Sequence, residues 1–134
     1  MREIKFRGYA EESLIGNQWV FGNGVWKIKY TDGTADVGVH RDSGWEIVHE
    51  ESVGQYTGWE DEDGYDIYEG DILMNLSSGE VYLVIWDDEG GMFCLQSEKE
   101  LLDFWDVDED IGWRWMYKVG TEFEHPHLLE RVKE

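Results

Sequence analysis

The sequence predicts a mainly β protein with two short helices. Three observations predict it. The 134 residues include 16 Gly and a single Pro, and the glycines recur between short aromatic or β-branched runs. That spacing belongs to strands joined by tight turns. Two stretches, 26–30 and 111–119, alternate with period two, as strands with unlike faces do. Asp-Gly pairs stand at Asp32-Gly33 and Asp63-Gly64, and Asp-Gly is a strong tight-turn signal.

The elements follow in order. Ile4-Lys5-Phe6-Arg7 alternates apolar and charged residues and predicts a first strand with one wet face. Trp26-Lys27-Ile28-Lys29-Tyr30 predicts a second, turned at Asp32-Gly33 into a partner over 34–40. Residues 44–48 predict another. The stretch 55–71 is rich in turn residues. A strand begins at Asp71 and runs to about residue 76, Ser78-Gly79 turns the chain, and 80–86 returns. In that return Val81, Leu83 and Ile85 share one face while Tyr82, Val84 and Trp86 share the other. Two apolar faces predict a central strand covered on both sides. A turn over 87–91 leads to a strand at 92–96.

Ser97 and Glu100 have capping-box spacing ahead of Leu101, Leu102 and Trp105, which predicts a helix over 98–105. Ile111, Trp113, Trp115, Tyr117 and Val119 form a period-two stripe, read as the core side of a strand. Pro126 suits a first helical turn and predicts a terminal helix over 126–132. Together these elements divide the chain into an N-terminal β lobe (1–54), a linker (55–70) and a C-terminal β lobe (71–134), or one intertwined domain.

Charge bounds the function. Against 31 Asp and Glu stand 11 Lys and Arg, a net charge of −20. Residues 1–59 carry 9 acids and 6 bases, a net of −3, and residues 60–134 carry 22 acids and 5 bases, a net of −17. Such a chain has no electrostatic footprint for nucleic acid and is repelled by anionic membrane surfaces. Twenty aromatic residues separate it from acidic disordered chains. One cysteine, Cys94, allows no internal disulfide and fits a reducing compartment. The start shows no apolar signal region, and the longest apolar run, 81–86, is far too short to span a membrane. The expected location is the cytoplasm.

The central residues carry a longer pattern. Gln55-Tyr56-Thr57-Gly58, the Asp63-Gly64 turn and Ile67-Tyr68-Glu69-Gly70-Asp71-Ile72 resemble the signature of the YopX family of phage and prophage proteins. The opening Met1–Arg7 stretch and the closing residues Val119, Gly120, Phe123, Glu124, Pro126, Leu128 and Leu129 are similar to that family's ends. Trp59 stands where the family has Leu, and Gly8-Tyr9-Ala10 replaces its usual Ala-Trp-Asp. The resemblance implies a mostly β protein with a small, SH3-like barrel as its C-terminal lobe, found in a host bacterial cytoplasm. It carries over no catalytic residue and is compatible with a homo-oligomer. Physically, the signature residues read as packing and turn positions: Asp71 can bond local backbone donors at a strand's entry.

Candidate chemistry is sparse. Asp106, Asp108 and Asp110 supply the first three acids of an EF-hand loop, but Ile111 then falls where Gly is required and Tyr117 where Glu is. A looser cation site there is the one weak metal candidate, against a solvated acidic loop. His125 and His127 lack a Cys pair or an HExxH partner for zinc. Cys94 lies mid-strand, where thiols are packing. No nucleophile elbow, Walker loop or dinucleotide fingerprint occurs. The expectation is therefore a non-enzymatic protein without cofactor that acts by contact with an unidentified protein partner. Two alternatives stand beside it: an acidic mimic of nucleic acid that inhibits a basic host protein, and an oligomer that binds a small nucleotide between subunits.

Overall fold

The computed structural model describes residues 3–11, 18–41, 44–106 and 115–129. The chain is mainly β, in antiparallel sheets. Its strands are β1 (Phe6–Tyr9), β2 (Trp19–Gly22), β3 (Gly24–Lys29), β4 (Ala35–Arg41), β5 (Gly44–Val48), β6 (Gly54–Glu60), β7 (Asp66–Tyr68), β8 (Asp71–Asn75), β9 (Val81–Asp87), β10 (Met92–Gln96), β11 (Leu101–Asp103) and β12 (Met116–Thr121). The described helical pieces are single turns at Glu50–Ser52, Phe104–Asp106 and Pro126–Leu129. None of them is long and apolar enough to cross a membrane. The chain divides into two units, Met1–Tyr56 and Thr57–Glu134, so the stretch 55–70 contributes β7 and most of β6.

In the first unit β3, β4 and β5 form a three-stranded sheet in that order, and β1 pairs with β2 and with the start of β6. The β3–β4 turn is the one its sequence asks for. Gly33 has φ +91°. The Thr34 hydroxyl and backbone N–H both donate to Asp32 Oδ1, at 2.6 and 2.9 Å. Those two donors hold the Asp32 carboxyl below its ordinary value. The unit's core gathers Ala10, Val20, Val37, Val39 and Val48 under Val53. Each fully buried Val contributes roughly 1.5–3 kcal/mol.

In the second unit the sheet order is β11-β10-β9-β8-β12. The two-faced reading of β9 holds except at Trp86, which is exposed. Tyr82 and Val84 join Leu73, Phe93, Leu95 and Met116 in one cluster, while Leu83 joins Ile72 and Leu129 in another. Alternate residues of β8 and β9 thus fill two separate cores, as a period of two requires.

Three expectations are corrected. The first strand is Phe6–Tyr9 rather than 4–7, and Arg7, expected on the wet face, is buried while Ile4 is exposed. Residues 98–105 are not a helix: Leu101–Asp103 is β11, and only Phe104–Asp106 is helical. Ser97 does what a capping serine does, its Oγ accepting from Glu100 N at 3.1 Å and Lys99 N at 3.2 Å. Ser97 N, however, donates to Glu100 O at 2.9 Å, which closes a hairpin turn. Leu101 and Leu102 then pair with Gln96 and Leu95. One local Ser chemistry serves either structure. The stripe over 111–119 is also not the core side where it is described. Met116 is fully buried, whereas Trp115 and Val119 are exposed. Pairing with β8 sets Met116 and Lys118 opposite the buried Asn75 and Leu73, and a register shift between Lys118 and Gly120 interrupts the alternation. Ile111 and Trp113 lie outside the described residues. The terminal helix is a 3-10 turn at Pro126–Leu129, and its expected continuation to 132 lies outside them too.

Candidate interaction surface

The β3–β4–β5 sheet has two unlike faces. Cross-strand partners share a face, so Val39 lies with Val25, and Val37 with Val48 and Lys27. That is the core side. The other side carries Trp26, Ile28 and Tyr30 from β3 and its end, His40 from β4, and Trp45 and Ile47 from β5. Trp45 is 49% exposed, and Ile28 and Tyr30 are each 47% exposed.

This outer face is organised. The Trp26 and Trp45 rings meet edge to face, 5.1 Å between centroids, and His40 lies 4.5 Å from Trp45. Trp26 covers Gly38, where an added Cβ would come within 2.7 Å of the indole. The Tyr30 hydroxyl donates to Asp36 Oδ2 at 2.7 Å. That bond, then burial and the Asp36 charge, push the phenol above its ordinary value. Asp36, the carboxylate opposite Ile28, is therefore engaged by the face itself. Aromatic rings held in place lose little entropy when a partner covers them, and aromatic residues are enriched at energetic hot spots.

Strand β3 is the edge of its sheet, and Lys27 and Lys29 stand on it, Lys27 Nζ 2.6 Å from Glu50 Oε2. Edge lysines discourage a further strand from pairing there. The surface thus offers its face rather than its edge.

The signature residues hold the fold. Gln55 pairs with Phe6, and Tyr56 is buried, its N–H donating to Lys5 O at 2.8 Å. The buried Thr57 hydroxyl donates to Ile67 O at 2.8 Å and accepts from Trp59 N at 3.2 Å. Gly58, Gly64 and Gly70 all have positive φ. At Gly70 that conformation lets its N–H reach Val84 O at 2.9 Å while its O accepts from Glu122 N at 2.7 Å. Ile67 and Tyr68 are buried, Glu69 is half-buried, and Asp63 is exposed in the turn. Asp71 is fully buried. Its Oδ2 accepts from Tyr68 N at 2.7 Å and lies 3.2 Å from Lys118 Nζ.

Asp61, which the motif reading passes over, is buried and accepts three backbone N–H groups. Its Oδ1 accepts from Asp63 N and Tyr65 N, each at 2.9 Å, and its Oδ2 from Lys118 N at 3.0 Å. It fastens the signature turn to β12.

Asp106 ends the Phe104–Asp106 turn, while Asp108 and Asp110 lie outside the described residues. Among the described residues no three His, Cys, Asp or Glu side chains converge as metal ligands. His125 and His127 have ring centroids 6.1 Å apart, and His125 Nδ1 accepts from Thr121 N at 3.2 Å. Cys94 is buried in β10.

The sequence matches the family described as YopX protein over residues 5–130. The chain belongs to the YopX family. Among solved structures, the crystal structure of protein EF1440 from Enterococcus faecalis is similar to it at 18% identity with a TM-score of 0.52, across 97% of this chain and 100% of that one. At that identity the likeness extends to the fold. No curated protein matches the chain. In this YopX chain, then, the signature residues are turn formers, buried apolar groups and backbone acceptors, and the exposed aromatic face lies outside them.

Proposed function

We propose that this YopX protein is a non-catalytic, phage-type accessory protein of the bacterial cytoplasm that works by binding another protein. The observation that carries the reading is the outer face of the β3–β4–β5 sheet, where Trp26, Ile28, Tyr30 and Trp45 lie together, partly in solvent. Contiguous apolar patches on soluble proteins mark contact sites. Capture from prophage-induced cells tests it. The wild-type chain is expected to enrich one protein. An Ile28→Ser/Trp45→Ser variant is expected to lose roughly thirtyfold in affinity, the size of a hot-spot loss, with its melting temperature essentially unchanged. Capture that survives the double substitution, or enriches nothing, overturns the reading.

A second reading rests on charge. Residues 57–134 hold the same 22 acids and 5 bases as 60–134, so the second unit carries −17 of the −20. An inhibitor that occupies a basic nucleic-acid channel would use such a unit. Steered association weakens steeply with salt. If this reading holds, raising salt from 50 to 300 mM lowers the association rate at least tenfold. A salt-insensitive rate returns the acids to the role of keeping the protein dispersed.

A further inference from the structure

The outer face of the β3–β4–β5 sheet is small for a globular partner. A fully exposed aromatic side chain presents about 150–250 Å². Trp45 and Tyr30, each about half exposed, together present roughly 200 Å². Ile28 adds a smaller side chain, and Trp26 is half-buried. A stable pair of proteins buries about 800 Å² on each side. A second copy of this chain would meet the same shortfall, so the face suits a short segment.

Its rings stand in two places. The Trp26–Trp45 pair lies at one, and Tyr30 at the other, with Ile28 between them. Trp26 and Tyr30 are four residues apart, or about 13.6 Å of strand. In a polyproline II chain, residues three apart lie on one side and about 9.3 Å apart. One turn of such a chain fits between the two aromatic walls and sets a proline ring against each. The polar groups agree with that occupant. The Tyr30 hydroxyl is turned to Asp36 and the His40 ring to Asn23. The Trp26 and Trp45 indole N–H groups donate to no other described residue. A proline-rich backbone offers carbonyls with no internal partner and few N–H groups, so it asks of a surface what these indoles supply.

The Tyr30 end is acidic. Asp36 Oδ2 lies 2.7 Å from the Tyr30 hydroxyl, and Asp32 stands in the turn of the same hairpin. Lys29 pairs with Ala35 and belongs to the opposite face. A carboxylate accepts more than one hydrogen bond, so both acids have capacity for a cation.

Resting on the protein-contact reading, we propose that this face takes a short proline-rich segment of its partner in the polyproline II conformation. An Arg or Lys at one end of that segment meets Asp32 and Asp36. The proline rings lie on Trp26, Trp45 and Tyr30, and backbone carbonyls accept from the indoles. Such a segment is extended before it binds, so little entropy is lost on docking.

Titration of the full ¹⁵N-labelled chain with the capped peptide RPLPPLP tests this. RALAALA keeps the charge without the prolines, and EPLPPLP reverses the charge. RPLPPLP is expected to move the Trp26 and Trp45 indole signals and the Asp36 amide along saturating curves in the submillimolar range. RALAALA is expected to bind at least about tenfold more weakly, and EPLPPLP about threefold more weakly, the scale of an exposed ion pair. Trp45→Ser, with an unchanged spectrum elsewhere, is expected to weaken RPLPPLP about tenfold or more. Asp36→Asn keeps an oxygen for the Tyr30 hydroxyl and is expected to narrow the gap between RPLPPLP and EPLPPLP. Shifts that do not saturate, that fall outside this face, or that RALAALA or EPLPPLP reproduces in full overturn the proposal. Its failure is distinct from that of the protein-contact reading. Capture that is lost in Ile28→Ser/Trp45→Ser while the peptide moves nothing overturns the proline chemistry and leaves the face a protein-contact surface.

Discussion

Asp61→Ala is expected to destabilise the second unit by about 3–5 kcal/mol. The carboxylate is 6% exposed and accepts three backbone N–H groups, those of Asp63, Tyr65 and Lys118. Alanine removes all three acceptors at once. An unmet buried donor costs about 1–3 kcal/mol, and part of that returns where water reaches the turn. The loss is a large share of a typical stability of roughly 5–15 kcal/mol. At about 4–8 °C per kcal/mol for a unit of this size, the melting temperature should fall by more than about 10 °C. Asp61→Asn separates charge from geometry. It keeps an oxygen for Asp63 and Tyr65 but turns an amide against Lys118 N, so about half the loss should remain. Hydrogen exchange gives the site-resolved check: Lys118 and Tyr65 amides should lose protection first. A variant melting within about 2 °C of wild type would mean the three bonds are replaced by water at no net cost.

Much of the fold was legible where local chemistry and burial agree. The strand at 92–96 stands where its sequence places it, as Met92–Gln96. The Asp32-Gly33 turn forms because aspartate and glycine each do there what their chemistry allows. The two apolar faces of β9 were readable because both are covered. Other elements were hidden for physical reasons. Strand β2 is only Trp19–Gly22, too short to show a period. Strands β6 and β7 lie among turn residues, since Gly58 and Gly64 at positive φ interrupt the pattern. Strand β11 was masked by Ser97, whose hydroxyl bonds look alike in a cap and in a hairpin. The candidate surface was half visible. The alternation of Trp26, Ile28 and Tyr30 with Lys27 and Lys29 reads as an apolar face, and apolar faces are expected inside. Here the core side is decided by Val37, Val39 and Val48 on the neighbouring strands. The aromatic row is therefore left outside, and only the pairing register reveals it. Asp61 was half visible too. Its bond to Asp63 N is a local aspartate turn, but Lys118 is 57 residues away, beyond any local pattern.

Gly22→Ala should have the largest effect in the first unit. A Cβ on Gly22 would lie 1.9 Å from His40 O, 2.8 Å from its carbonyl carbon and 2.9 Å from Val39 Cγ1. The obstacle is backbone, so no rotamer change relieves it. His40 belongs to β4, the middle strand of its sheet, held by β3 on one side and β5 on the other. Moving it would break pairs on both sides, so β2 must withdraw instead. Withdrawal stretches the Asn23 N–His40 O bond of 3.1 Å and lifts Val20, which is buried with Val39. Overpacking a well-filled site typically costs about 1–3 kcal/mol, and a backbone clash this close should exceed about 3 kcal/mol. Gly24→Ala is the matched control, since its nearest neighbour would be His40 Cβ at an ordinary 3.7 Å. It should stay within about 1 kcal/mol of wild type, the scale of a glycine-to-alanine backbone effect.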